Sequence, residues 1–368
     1  MKILHVTASL DPRRGGTTTA IRELGAVLSS LGMTNVAVAA DAPEESFPEI
    51  EIVQGLGRST GAWSKNPSMG KWLETNVGKF DQVLIHGLWL YPSFAAACCC
   101  RRLGVPYRVV PHGMLDRWFR EKYPWKHLKK RLYWEAIEKG VINGSRSVVF
   151  TSDEEKNRSG STFPGITTRT EVARLGLEEP PRFERATPKQ RLLFLGRWHE
   201  KKRVVETVRS FAEACPEGEA ELIIAGMAED PDYESSVWKT RERLPSSVRE
   251  RVKLQGACFG EGKWRLLSSA SAFILDSWQE NFSFSVVEAL ACGVPVLISD
   301  GVAVYPEVER CQAGWISKEA DGMQALVRRW AESSPSELEA KSLQARTCYE
   351  TYFSHRACGE AWQKLLAS

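Results

Sequence analysis

Short apolar runs rich in β-branched residues alternate with helix-patterned stretches along nearly the whole chain, and this alternation limits the fold more than any other feature. A parallel strand is buried on both faces, so it reads as one continuous apolar run, and the next parallel strand is reached through a long crossover that is usually a helix. Strands are therefore expected at Lys2 to Thr7, Asn35 to Ala39, Gln82 to His86, Tyr107 to Pro111 and Ser147 to Thr151. A second series follows at Arg191 to Leu195, Glu221 to Ala225, Val252 to Gln255, Ala272 to Leu275 and Val294 to Ile298. Between the series runs EEPPRFERATPKQ, whose prolines and charges exclude a helix or a central strand. The expected fold class is α/β, with two doubly wound sheets facing across a cleft and ligands at the carboxyl ends of the strands. The expected domains are 1–177, a linker at 178–190, 191–350, and a closing helical stretch at 351–368 that returns to the first domain.

Composition narrows the class. Across 368 residues, 49 Lys plus Arg against 46 Asp plus Glu leave a formal charge of +3, too little for a global pull toward nucleic acid. The 9 cysteines include the run Cys98-Cys99-Cys100 and form no C-x-x-C pair, which argues against a disulfide scaffold and for a reducing cytosol. MKILHVTASLDPRRGG lacks the apolar core of a secretory signal, and no run of about 18 apolar residues exists to cross a bilayer. The expectation is a cytoplasmic protein, free or resting on the inner face of the membrane.

Four segments carry the chemistry. In DSWQENFSFSVVEALACGVPVLISD, Asp276 to Asp300, a polar loop with Glu280 and Asn281 leads into a helix expected from about Val286. The free N–H groups and positive dipole end of such a helix favour a phosphate. Glu288 has two readings: a carboxylate placed for a ligand, or the partner of Ser285 in a capping box. In LFLGRWHEKKRVV a strand runs into a basic turn, where Arg197 offers a planar fork and Lys202 a point charge for a diphosphate; a solvated basic turn is the plainer reading. His86 and His112 each stand at a strand's carboxyl end, as site residues or as satisfied structural histidines. Arg13-Arg14-Gly15-Gly16-Thr17 opens the first helix, either as a close approach for a ligand or as a tight turn with Thr17 as helix cap.

Together these segments resemble the retaining glycosyltransferases of family four, nucleotide-sugar enzymes of the GT-B fold. GRWHEKKR looks like the family's G-R-x-x-x-x-K turn, ENFSFSVVEALACGVPV like its E-x7-E segment, and PHGMLDRWFR like its His-Gly segment. HGLWLYPS and KKRLYWEAIEK look like polysaccharide-assembly members. The resemblance implies that Arg197 and Lys202 hold the donor diphosphate, that Glu288 binds the ribose, and that Glu280 and His112 contact the donor sugar as the catalytic pair. It places Gly16, Asn281, Phe282 and Ser283 at the donor, and Gly15 and His86 toward the acceptor. It implies a nucleoside-diphosphate sugar of UDP, GDP or ADP type and a glycan or lipid-linked acceptor, with no essential metal, and no D-x-D arrangement here calls for one. A non-catalytic nucleotide-binding or regulatory protein on the same scaffold is the alternative. Departures from the pattern are Asp276 where Pro is usual, Ser283 and Arg203 where Gly is usual, and Arg174-Leu175-Gly176 for the usual P-N-G.

RWFREKYPWKHLKKRLYW, Arg117 to Trp134, interleaves Lys and Arg with aromatics. It reads as a surface for an anionic membrane, suited to a lipid-linked acceptor, or as a solvated basic face whose aromatics pack inward. Pro124 is expected to interrupt its helix.

Overall fold

The computed structural model describes residues 1–11, 15–41, 47–117, 120, 122, 124–160, 162–183, 190–319 and 322–368. They form two compact units, Met1–Gly176 with His355–Ser368, and Leu177–Ser354. Both are parallel-sheet Rossmann-like domains.

The first unit holds a seven-stranded sheet of β1 (Lys2–Thr7), β2 (Thr34–Ala39), β3 (Glu51–Ile52), β4 (Gln82–His86), β5 (Tyr107–Val110), β6 (Ser147–Phe150) and β7 (Arg169–Val172), in the order β3-β2-β1-β4-β5-β6-β7. Its pairs are parallel. Side chains alternate between two buried faces: Val36 and Val38 enter one apolar cluster, Ala37 and Ala39 the other. On β5, Tyr107 and Val109 join the first cluster while Arg108, fully buried, points to the opposite face. There its guanidinium donates to Gln82 Oε1 at 2.6 Å and to the Leu365 carbonyl at 2.6 Å, satisfying one of the orphan carbonyls at the end of the helix His355–Ala367. The same helix bonds Glu23 through His355 and the Arg174 carbonyl through Trp362. Its close approach explains Gly176, where a Cβ would stand 2.9 Å from the His355 ring.

The second unit holds β8 (Arg191–Leu195), β9 (Glu221–Ala225), β10 (Val252–Gln255), β11 (Ala272–Leu275), β12 (Val296–Ser299) and β13 (Gly314–Ser317), in the order β10-β9-β8-β11-β12-β13, again parallel. The helix Pro335–Tyr352 packs on the helix Phe284–Ala291, and Arg346 donates to the Ala291 carbonyl at 2.7 Å.

Each strand expected from the sequence is present. β5 stops before Pro111 and β12 starts after Pro295, because proline has no N–H for the ladder. β3, β7 and β13 were not anticipated, being short or polar; β13 opens on Gly314, where a Cβ would lie 1.9 Å from the Val296 carbonyl oxygen. Pro124 stands at the head of the described helix Pro124–Tyr133, while residues 118–119, 121 and 123 of the stretch it was expected to interrupt lie outside the described residues. The division falls after Gly176 and again after Ser354, while residues 184–189 of the expected linker lie outside the described residues.

Candidate active site

In the second unit the chemistry gathers at the carboxyl ends of β8 and β11. After β8, the His199 ring accepts from the Lys201 amide at 3.0 Å and starts a short turn, Glu200–Lys202. Arg203, at φ 50° in the left-handed region, closes the turn and leads into the helix Val204–Ala214. After β11, the loop is fastened to that turn. The Trp278 amide and the Ser277 hydroxyl both donate to the Lys201 carbonyl, at 2.9 and 3.1 Å. Glu280 is fixed by its own backbone, its amide bonding the Gly301 carbonyl and its carbonyl the Ala303 amide, each at 3.0 Å.

The two loops bring Lys202 Nζ to 3.1 Å from Glu280 Oε1. Burial pushes the Glu280 carboxyl up, but Lys202 and Lys201, with the Ser277 hydroxyl, outweigh it and hold the group below the usual carboxylate range. Glu288 pairs with Lys263 at 2.7 Å, on a side chain 10% exposed. The capping-box reading thus fails. The helix runs Phe284–Ala291, starting two residues before the expected Val286; its N-cap is Ser283 without a side-chain bond, and the Glu288 carboxylate is engaged by lysine. Arg197 is paired with Glu229, both about half exposed, and so is not poised alone for an anion. The Phe282 ring is buried against Phe284 and Phe353, leaving only its backbone for a ligand. Asn281 is half-buried on the same loop.

Two departures from the expected pattern meet in space. Arg203 reaches Asp276 at 3.3 Å and lies over the Trp278 ring at 5.3 Å, so the residues standing where Gly and Pro are usual form an ion pair with each other. Ser283, where Gly is also usual, sits at φ 57°. Each non-glycine held in this region carries roughly 1–2 kcal/mol of strain. Beside the turn, at the ends of β8, β9 and β10, a cavity of about 320 Å³ is lined by Trp198, Met227, Trp238, Leu254 and Gly256. The Trp198 indole N–H is buried there without a partner among the described residues.

In the first unit, Gly15 at φ 100° precedes the helix Gly16–Ser30 and caps it by backbone alone; Thr17 lies inside the helix and is not its cap. A Cβ on Gly16 would meet nothing within 4 Å, so that backbone is open. Arg13 and Arg14 lie outside the described residues. His86 and His112 are brought together with a third histidine: His5 Nδ1 is 3.0 Å from His86 Nε2, and His86 Nδ1 is 2.9 Å from His112 Nε2. Both ring nitrogens of His86 are therefore taken, and it has none for an acceptor. Burial holds His5 and His112 down to about 4, and holds His86 well below the usual imidazole value with help from its two neighbours, so all three rings are neutral. His112 has φ 52°, and the next amide, Gly113, donates to Glu155 Oε1 at 2.6 Å; Glu155 Oε2 takes the Thr151 amide and hydroxyl. Lys263, His5, Asn35 and the Arg203–Asp276 pair are what sequence reading missed.

Residues 178–345 match the family described as glycosyl transferases group 1, and residues 15–176 match the glycosyl transferase 4-like domain. The two matches lie one after the other, the first over most of the second unit and the second over most of the first. Among individual relatives, it is 21% identical over 348 residues to the GDP-mannose:cellobiosyl-diphosphopolyprenol alpha-mannosyltransferase of Xanthomonas campestris, with 89% of this chain and 87% of that protein covered. It is 26% identical over 190 residues to an uncharacterized glycosyltransferase of Methanocaldococcus jannaschii, spanning 45% of this chain and about half, 47%, of that relative. Anabaena HepE, solved with UDP and glucose, superposes with a TM-score of 0.75 at 16% identity, covering 100% of both chains; at that identity the likeness is one of fold.

Proposed function

We propose that this chain is a retaining glycosyltransferase that moves a hexose from a nucleoside-diphosphate sugar to a hydroxyl of a glycan or lipid-linked acceptor in cell-surface polysaccharide assembly. The observation that carries the reading is the Lys202–Glu280 pair, together with Glu288 on the following helix, which pairs with Lys263 of the helix Gly260–Ser268. In each, a cation is balanced by a carboxylate that an incoming diphosphate or sugar can replace. Lys202, with Arg197 once it exchanges Glu229, neutralises the diphosphate as it leaves. The amide end of the helix Phe284–Ala291 adds to this, and each such contact contributes about 3 kcal/mol at the transition state. Glu288 takes the ribose hydroxyls and Glu280 the sugar, with Gly16, Asn281 and Ser283 giving backbone and polar contacts and Gly15 meeting the acceptor. The chemistry proceeds by front-face attack, the departing phosphate oxygen deprotonating the acceptor, without an essential metal.

The acceptor side rests on a surface. On the helix Pro124–Tyr133, Trp125 is 83%, Leu128 53% and Leu132 72% exposed, on one side of a helix whose last turn is basic. This fits a protein at the inner face of the membrane taking a lipid-linked acceptor, the kind of acceptor named for the Xanthomonas relative. The test is a panel of UDP, GDP and ADP sugars, scored for thermal stabilisation, for hydrolysis, and for anomeric configuration of the product by NMR. Transfer or hydrolysis with retained configuration is expected; nucleotide binding with no turnover from any donor would favour the non-catalytic alternative. Flotation with phosphatidylglycerol vesicles, lost in Trp125→Ser/Leu132→Ser, tests the surface.

A further inference from the structure

The histidine line in the first unit fixes which nitrogen of His112 carries the proton. Asn35 sits at its far end, and its amide orientation is set by its neighbours. Nδ2 faces the Gly25 carbonyl at 3.2 Å, the Met33 carbonyl at 3.3 Å and the Ser29 hydroxyl at 2.9 Å, and that hydroxyl spends its own proton on the Glu49 carbonyl. Oδ1 is thereby the atom 3.2 Å from His5 Nε2. A carbonyl oxygen only accepts, so His5 Nε2 bears hydrogen, and in a neutral ring its Nδ1 is a bare lone pair. That lone pair must receive a proton from His86 Nε2, which leaves His86 Nδ1 bare. His86 Nδ1 must in turn receive from His112 Nε2. The sequence of donors ends at His112 Nδ1, a lone pair that makes no hydrogen bond to any described residue, on a half-buried ring.

We infer that Asn35, His5 and His86 are positioning residues that lock His112 in the Nε2–H tautomer, so that Nδ1 is an obligate acceptor for a hydroxyl of the bound sugar. The inference rests on the proposed sugar-transfer function and on the donor-sugar contact that the family resemblance implies for His112, and it adds the direction of that hydrogen bond and the residues that set it. The stacked rings, with centroids 5.3 and 5.2 Å apart, and the Glu155 clamp on Gly113 hold the line in register. A sugar carbon bearing hydrogen in place of hydroxyl at the contacted position offers this nitrogen nothing to accept.

Long-range proton–nitrogen NMR of the ligand-free full chain, labelled with nitrogen-15 histidine, reads the tautomers directly. Protonated Nε2 and unprotonated Nδ1 are expected at all three rings; a protonated Nδ1 at neutral His112 overturns the inference without any variant being made. His5→Phe keeps the bulk and cuts the line two rings away from the sugar. It is expected to give His112 a mixed tautomer and to weaken GDP-mannose or UDP-glucose binding about tenfold while GDP or UDP binding is unchanged. An unaltered His112 spectrum in that variant overturns the relay. If the tautomer shifts but sugar nucleotides and bare nucleotides are affected alike, the relay stands and the sugar contact of His112 falls.

Discussion

The two units meet the same requirement, polar groups at the ends of buried strands, with opposite chemistry. In the second unit the answer is charge matched by charge: Lys202 with Glu280, Lys263 with Glu288, Arg203 with Asp276 and Arg197 with Glu229. In the first unit it is a row of neutral rings passing hydrogen bonds inward to an amide. Ion pairs at a strand end are exchangeable, because a charged ligand supplies the same attraction as the partner it displaces. Neutral rings in a hydrogen-bonded line are not exchangeable; they carry information only in which atom holds the proton. The difference separates affinity for a charged ligand from orientation toward an uncharged one.

The largest effect should come from the exchangeable side. Lys202→Ala is expected to lower kcat/KM for the matching nucleotide sugar about a hundredfold or more, roughly 3 kcal/mol, and to weaken binding of the nucleoside diphosphate measured by calorimetry. Unchanged diphosphate affinity would break the comparison at its centre.

Glu138 offers a test of neutrality in the first unit. It is fully buried on the irregular helical turn Trp134–Glu138, and burial pushes its carboxyl up to about 7 against the opposing pull of the Trp89 amide and Lys130. Because the folded protein holds this proton more tightly than the unfolded chain does, the group weakens the fold as pH rises from 4.5 to about 7, and fully so above that. Glu138→Gln should therefore stabilise the protein by up to about 3 kcal/mol at pH 8 and by almost nothing at pH 4, in urea melts at the two values. A gain that does not depend on pH would mean that ionisation is not what makes the site expensive.

Glu288→Gln keeps the shape but loses the charge that faces Lys263, and is expected to reduce nucleotide affinity roughly tenfold, about 1.5 kcal/mol, with the unfolding midpoint little changed. If the midpoint falls and affinity does not, the carboxylate serves the fold alone. The smallest effect is expected at Ser283→Gly, which should raise stability by about 1 kcal/mol by relieving a left-handed serine. Arg203→Gly should not show this gain, since it strands Asp276; a double-mutant cycle with Asp276→Asn should return a coupling of about 1 kcal/mol.

Much of this was legible in the chain. The central strands announce themselves because burial on both faces leaves no choice but an apolar run, and Lys2 to Thr7 or Ala272 to Leu275 are found with the bounds expected. RTEV at β7 could not be read so, since its residues are half-buried or exposed and, among the described residues, it pairs with β6 alone. Glu280, Glu288 and Lys202 stand out by spacing, but their settings do not. Lys263 lies 25 positions before the carboxylate it meets, and His5 and His86 are 81 apart. Nothing local links such pairs; only the strand order brings β1 beside β4 and so His5 beside His86. Thr17 and Ser285 misled for a related reason: hydroxyls that suit a cap in isolation sit one or two positions inside helices whose starts are set by the neighbouring loops.

Arg203 and Ser283 show that a left-handed corner does not require a glycine. Both bend the backbone as a glycine would, yet neither is one. At one corner the added side chain already has an occupation, the Arg203 guanidinium tying its turn to the neighbouring loop through Asp276 and Trp278, which a hydrogen atom at that position could not do.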